Sequence, residues 1–155
     1  MLTVLKKYFI GDAQNDRAPE VKLRDKILIA TCVLMLEVAK SDEEFATTEK
    51  EIIHRILETE LEIPKEDVKE ILKIAERDRE DSVDVFEYTS LINRHFSRTE
   101  KLQMVERFWE IIFADDNFDQ FEDYMVHKLA DLLRLTHEEL IAAKLKVKPP
   151  HITNR

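Results

Sequence analysis

The chain has 155 residues, a hydrophobic content of 44% and a formal net charge of -9. That is enough apolar material for one domain with its own core, and no low-complexity stretch reads as disorder. The acidic surplus excludes phosphate-directed binding of nucleic acid, which needs clustered Lys and Arg, and favours cations or basic partners instead. One glycine and four prolines are too few turn formers for hairpins, so the chain reads as all-α.

In chain order, Leu2, Val4, Leu5, Tyr8 and Phe9 share one face at helical spacing, with Lys6 and Lys7 opposite. They predict a short N-terminal helix that docks on the domain and ends at Gly11. Met1 to Ile10 is too short for a signal peptide, and a polar connector containing Pro19 follows. Val21 to Lys40 predicts a helix so apolar in its middle that it must be central. Its longest apolar run, Ile27 to Ala39, falls short of the roughly 20 residues of a membrane span and includes Glu37. The single cysteine, Cys32, lies in that run and reads as a buried thiol with no internal disulfide partner, which fits a reducing compartment. A soluble, cytoplasmic protein is expected.

The next helix, Thr47 to Glu60, carries Ile52, Ile53, Ile56 and Leu57 on one face, and a third starts at Pro64 with the stripe Val68, Ile71, Leu72 and Ala75. Glu76 to Asp81 reads as a solvated connector. Asp84 to Phe96 predicts a fourth helix with Phe86, Thr89, Leu91 and Ile92 turned inward. Ser97 with Glu100, Asp119 with Glu122, and Thr136 with Glu139 have capping-box spacing and mark the starts of three more helices. Phe108, Trp109 and Phe113 belong to the core. The tail from Lys146 is basic, contains prolines and is expected to be mobile.

Much of this is written twice. From Glu37 the chain reads E-V-A-K-S-D-E-E-F-A-T-T-E-K-E-I-I-H and from Glu110, 73 positions on, E-I-I-F-A-D-D-N-F-D-Q-F-E-D-Y-M-V-H. Glu37 matches Glu110, Asp42 matches Asp115, Phe45 matches Phe118, Glu49 matches Glu122 and His54 matches His127. Core packing alone would repeat only the apolar period. L-E-I-P-K-E-D-V from Leu61 then matches L-R-L-T-H-E-E-L from Leu133 at an offset of 72, so one residue has been lost between the copies. The reading is a bundle of about seven helices plus the N-terminal one, in two similar halves with approximate internal twofold symmetry. Its parts are residues 1–20, a domain over 21–147 with halves of about 21–78 and 84–147, and a tail over 148–155.

A-K-S-D-E-E-F-A-T-T-E from Ala39, I-F-A-D-D-N-F-D-Q-F-E from Ile112 and the segment from Asp84 to Ser97 resemble the TerB family of tellurite-resistance operons. That all-helical domain is also similar to the N-terminal part of DjlA-type co-chaperones. The resemblance covers about Lys22 to Leu145. It implies a helical bundle without catalysis, whose acidic residues bind a divalent cation or form a charged interaction surface. By residue match these are Asp42, Glu49, Asp115 and Glu122. Where the family has glycine after the aspartate, this chain has Glu43 and Asp116, which alters the turn and adds negative charge.

The residues themselves support a hard cation such as Ca2+ or Mg2+, which wants several oxygens converging at about 2.0 to 2.6 Å. Asp115, Asp116, Asn117, Asp119, Glu122 and Asp123 make the second junction the richer site; neither junction has the length or the alternating ligands of an EF-hand. The competing reading is capping, since Glu49 and Glu122 lie in the first turn of their helices and Asp119 is a good N-cap. Glu37 and Glu110, on largely apolar helices, need partners. Either each pairs with an Arg or Lys, or both support the acidic site from behind.

His54 and His127 read as ordinary, partly buried side chains. The five histidines show no H-x-x-x-H or Cys-His spacing, so no zinc ligand set is read. No nucleophile elbow or glycine-rich phosphate loop is present, and no enzyme is expected. The sequence points to a non-enzymatic binding or sensing module in a stress or tellurite-resistance-like context, with a cation site at the acidic junctions. The alternative is an interaction adaptor, co-chaperone-like, whose acidic face docks a basic partner or a membrane-associated complex.

Overall fold

The computed structural model describes residues 19–39, 47–114 and 120–148, and these form seven helices and no strand. They are α1 Pro19–Ala39, α2 Thr47–Thr59, α3 Lys65–Asp81, α4 Phe86–His95, α5 Arg98–Phe113, α6 Gln120–Leu132 and α7 His137–Val147. The N-terminal helix expected over Leu2 to Phe9, the tail beyond Lys148 and both acidic junctions lie outside the described residues.

Helix α1 is central because it is apolar all round: Cys32, Val33, Leu34, Met35, Leu36, Val38 and Ala39 are all buried. It packs against α2, α3, α4, α5 and α6. Burial pushes the Cys32 thiol up to about 12, as suits an inert core residue. Helix α5 is the second hub, with Phe108, Trp109, Ile111 and Ile112 buried, and it packs on α1, α2, α6 and α7. The two copies make corresponding contacts: α1 with α3 as α5 with α7, and α2 with α5 as α1 with α6. No helix among the described residues is long and apolar enough to cross a membrane.

The turns after α2 and α6 differ by one residue. Glu62 and Arg134, matched across the repeat, both take left-handed backbone, with φ of 54° and 63°. In the first copy the Ile63 N–H donates to the Leu57 carbonyl at 3.0 Å; in the second, the Leu135 N–H donates to the Ala130 carbonyl at the same distance. Leu57 matches Ala130 and Ile63 matches Leu135, so the equivalent bond closes over one residue fewer in the second copy. There Arg134 N–H also donates to Asp131 carbonyl at 3.0 Å, which completes a Schellman cap without glycine.

Two of the capping boxes form. Ser97 Oγ accepts from the Glu100 N–H at 3.1 Å while Glu100 accepts from the Ser97 N–H at 2.8 Å. Thr136 and Glu139 do the same at 3.1 and 2.9 Å. Arg98, together with the cap bonds, holds the Glu139 carboxyl below its usual range.

Three expectations are corrected. Pro64 stands at the N-cap of α3 and not inside it. The charged run Glu76 to Asp81 is helical, the last turn and a half of α3, because Glu76, Arg77, Arg79 and Glu80 are good helix formers and Arg79 is anchored across the fold to Glu37. Phe86 is 63% exposed: the buried side of α4 runs through Val85, Tyr88, Thr89 and Ile92, and Phe86 lies about 100° from Val85 around that axis.

Tyr88 ties α4 to the end of α3. Its hydroxyl donates to Asp78 Oδ2 at 2.7 Å and lies 3.1 Å from the Asp78 carbonyl oxygen. Burial first, and then the Asp78 carboxylate, raise the phenol above its ordinary range. An acid whose folded pKa is raised contributes stability that is present below the unfolded value, about 10, and lost as pH rises above it. Urea midpoints at pH 9 and pH 11 are therefore expected to fall more for the wild-type chain than for Tyr88→Phe.

Candidate functional site

The acidic junctions connect α1 to α2 and α5 to α6, equivalent joints of the two copies. Asp42, Asp115, Asp116 and Asp119 lie outside the described residues. Glu49 and Glu122 are each the third residue of their helix, where the dipole favours a carboxylate; their side chains also lie outside the described set. Among the described residues, no three His, Cys, Asp or Glu side chains are grouped so as to hold a metal ion.

Glu37 and Glu110, near the ends of α1 and α5, meet arginines. Arg79 Nε donates to Glu37 Oε2 at 2.6 Å, with both side chains less than a quarter exposed. Glu110 is held by Arg55 Nη2 at 3.4 Å and by Arg107 Nη1 at 3.3 Å. Arg107 also reaches Glu60 at 3.0 Å and Glu106 at 3.5 Å, and Lys146 lies 3.4 Å from Glu106. The arginine pairing meets the need of both acids for a partner without a cation. Of these charges, Glu60, Glu106, Arg107 and Lys146 rim a groove of about 620 Å3 whose floor includes Met35, Ile56, Phe96 and Met104.

The matched histidines have different surroundings. Burial, then the Lys50 charge, lower the pKa of His54. His127 is half-buried against Trp109, which it meets edge-on with centroids 6.3 Å apart. Trp109 is fully buried, stacks on Phe113 at 5.8 Å, donates its Nε1–H to the Leu140 carbonyl at 3.1 Å, and has Lys144 Nζ 5.0 Å from its ring. His127 also lies beside His137, with centroids 5.8 Å apart and the rings tilted by 34°. Their ten-residue separation gave no sign of this pairing; only the turn between α6 and α7 creates it.

Comparison with curated proteins and with solved structures yields no match. The family profile described as Tellurite resistance protein TerB matches residues 28–145, a span that contains both acidic junctions, the arginine-paired glutamates and the buried faces of both hub helices. It covers most of the chain, and the chain belongs to the TerB family.

Proposed function

We propose that the protein is a non-enzymatic binding module of a tellurite-resistance or related stress system, and that it holds a hard divalent cation, Ca2+ or Mg2+, at its acidic junctions. Asp42 and Glu49 serve the first site; Asp115, Asp116, Asp119 and Glu122 serve the second. The observation that supports this reading is repetition: Asp42 recurs as Asp115 and Glu49 as Glu122, and although capping and the helix dipole account for the two glutamates, they do not call for an aspartate seven residues earlier. Glu37 and Glu110, each five residues before its matched aspartate, have their charge already balanced by arginine.

A cation that binds only the folded chain stabilises it by mass action. At ten times Kd the gain is about 1.4 kcal/mol, or about 3 to 6 °C for a chain of this size. Raising Ca2+ or Mg2+ to about 1 mM is expected to raise the Tm by that amount, with a Kd on the order of 0.1 mM. The double variant Asp42→Ala/Asp115→Ala is expected to lose the response. A variant that is more stable than wild type, in a chain whose Tm ignores both metals, would mean that the acids contribute only repulsion.

The groove between α1, α2, α5 and α7, apolar below and charged at its rim, favours the adaptor reading. A basic or membrane-associated partner that binds with no dependence on cations would establish it.

A further inference from the structure

We propose that His127 and His137 form a site for a borderline transition-metal ion, of which Zn2+ is the natural probe. The inference does not rest on the acidic junctions, and it uses a different class of ligand atom.

The tautomer of His127 comes first. Its Nδ1 lies 2.8 Å from the carbonyl oxygen of Asp123. A carbonyl can only accept, so Nδ1 carries the proton and the neutral ring presents a bare lone pair at Nε2. A backbone carbonyl behind one nitrogen, with the other left free, is the arrangement that orients a metal-binding imidazole. Asp123 Oδ2, 3.6 Å from the same Nδ1, adds negative charge behind the ring. Among the described residues the His137 side chain makes no hydrogen bond.

The spacing fits a shared ion. With metal–nitrogen bonds of about 2.0 to 2.1 Å, two imidazoles on one ion hold their centroids about 5.2 Å apart at the tetrahedral angle and about 6.4 Å apart when collinear. The observed 5.8 Å lies between these limits. Both rings line one hollow of about 400 Å3, together with Tyr124, Lys128 and Asp131. The two rings are the protein ligands, and water completes the shell; Asp131, one turn after His127 on α6, lines the same hollow and adds negative charge to it. Two imidazoles favour ions of the zinc class over Ca2+ and Mg2+.

Anion binding fits less well. The N-terminus of α7 is already occupied by the Glu139 carboxylate of the capping box, and Asp123 and Asp131 add negative charge that Lys128 and Lys144 only balance. Trp109, fully buried, packs edge-on against His127.

The test is calorimetric titration of the full chain with ZnCl2 after chelator treatment, in millimolar Ca2+ and Mg2+. One Zn2+ per chain is expected. His137→Gln, at an exposed position, is expected to weaken binding by roughly tenfold or more while leaving the metal-free Tm unchanged. His127→Gln should weaken it as much, and Asp42→Ala/Asp115→Ala should bind as wild type does. Absence of binding, or undiminished binding by His137→Gln, overturns the proposal. Loss confined to the aspartate variant assigns the ion to the junctions and also overturns it. Nitrogen NMR of the metal-free rings supplies a second check: His127 found protonated at Nε2 would remove the lone pair on which the site depends.

Discussion

Trp109→Ala is expected to cost about 3 to 5 kcal/mol, the usual loss for truncating a fully buried aromatic, which is a large share of the roughly 5 to 15 kcal/mol that hold a domain together. Trp109 is 0% exposed and joins three helices: it sits on α5, its indole N–H donates to the Leu140 carbonyl of α7, and its ring meets His127 of α6. Removing it leaves a cavity where α5, α6 and α7 meet and strips Lys144 of the ring it covers. Trp109→Phe keeps most of the apolar volume but loses the hydrogen bond, and is expected to cost less, about 1 to 2 kcal/mol. Because the chain has one tryptophan, urea unfolding of these variants must be followed by far-UV circular dichroism and not by fluorescence. Hydrogen exchange should show the first loss of protection in α7. Equal costs for the Ala and Phe variants would mean that the indole N–H bond, and not the ring's volume, dominates.

The same residue shows what sequence can reveal and what it cannot. That Trp109 is core follows from its helical spacing with Phe108, Ile112 and Phe113. The stripes of α2 and α3 and the capping boxes at Ser97 and Thr136 were legible for the same reason: each depends on residues within one or two turns of one another. The change of offset from 73 to 72 was legible too, and the turns after α2 and α6 close on bonds whose spans differ by one residue. Contacts across the fold left no such trace. Arg79 lies 42 residues from Glu37, and a charged run around it reads equally well as a connector or as the solvated end of a helix. The approach of His127 to His137 depends on the angle between α6 and α7, which no periodicity encodes. At the candidate site, sequence supplied the acids and their repetition, and the structure supplied the charge balance of the two glutamates behind them.

That balance can be tested directly at Glu37. Arg79→Met keeps the stem that covers the helix but leaves the Glu37 carboxylate, about one-fifth exposed, without its 2.6 Å partner. Charged hydrogen bonds of this kind are worth about 1.5 to 3 kcal/mol, and an abandoned, largely buried charge costs at the upper end of that range. Arg79→Met is therefore expected to lower stability by about 2 to 3 kcal/mol, Glu37→Gln by less, and the pair together by less than their sum, with a coupling of at least about 1 kcal/mol from the double-mutant cycle. Additive costs would show that the pair contributes nothing beyond packing. The cycle also bears on function. Glu37 lies five residues before Asp42, so once freed from Arg79 its charge adds to the first acidic junction. If that junction holds a cation, Ca2+ or Mg2+ should stabilise Arg79→Met more than wild type and restore part of the loss, an effect that Asp42→Ala should abolish. If both metals leave the Arg79→Met deficit unchanged, arginine and not a cation is the counter-charge for which Glu37 is placed.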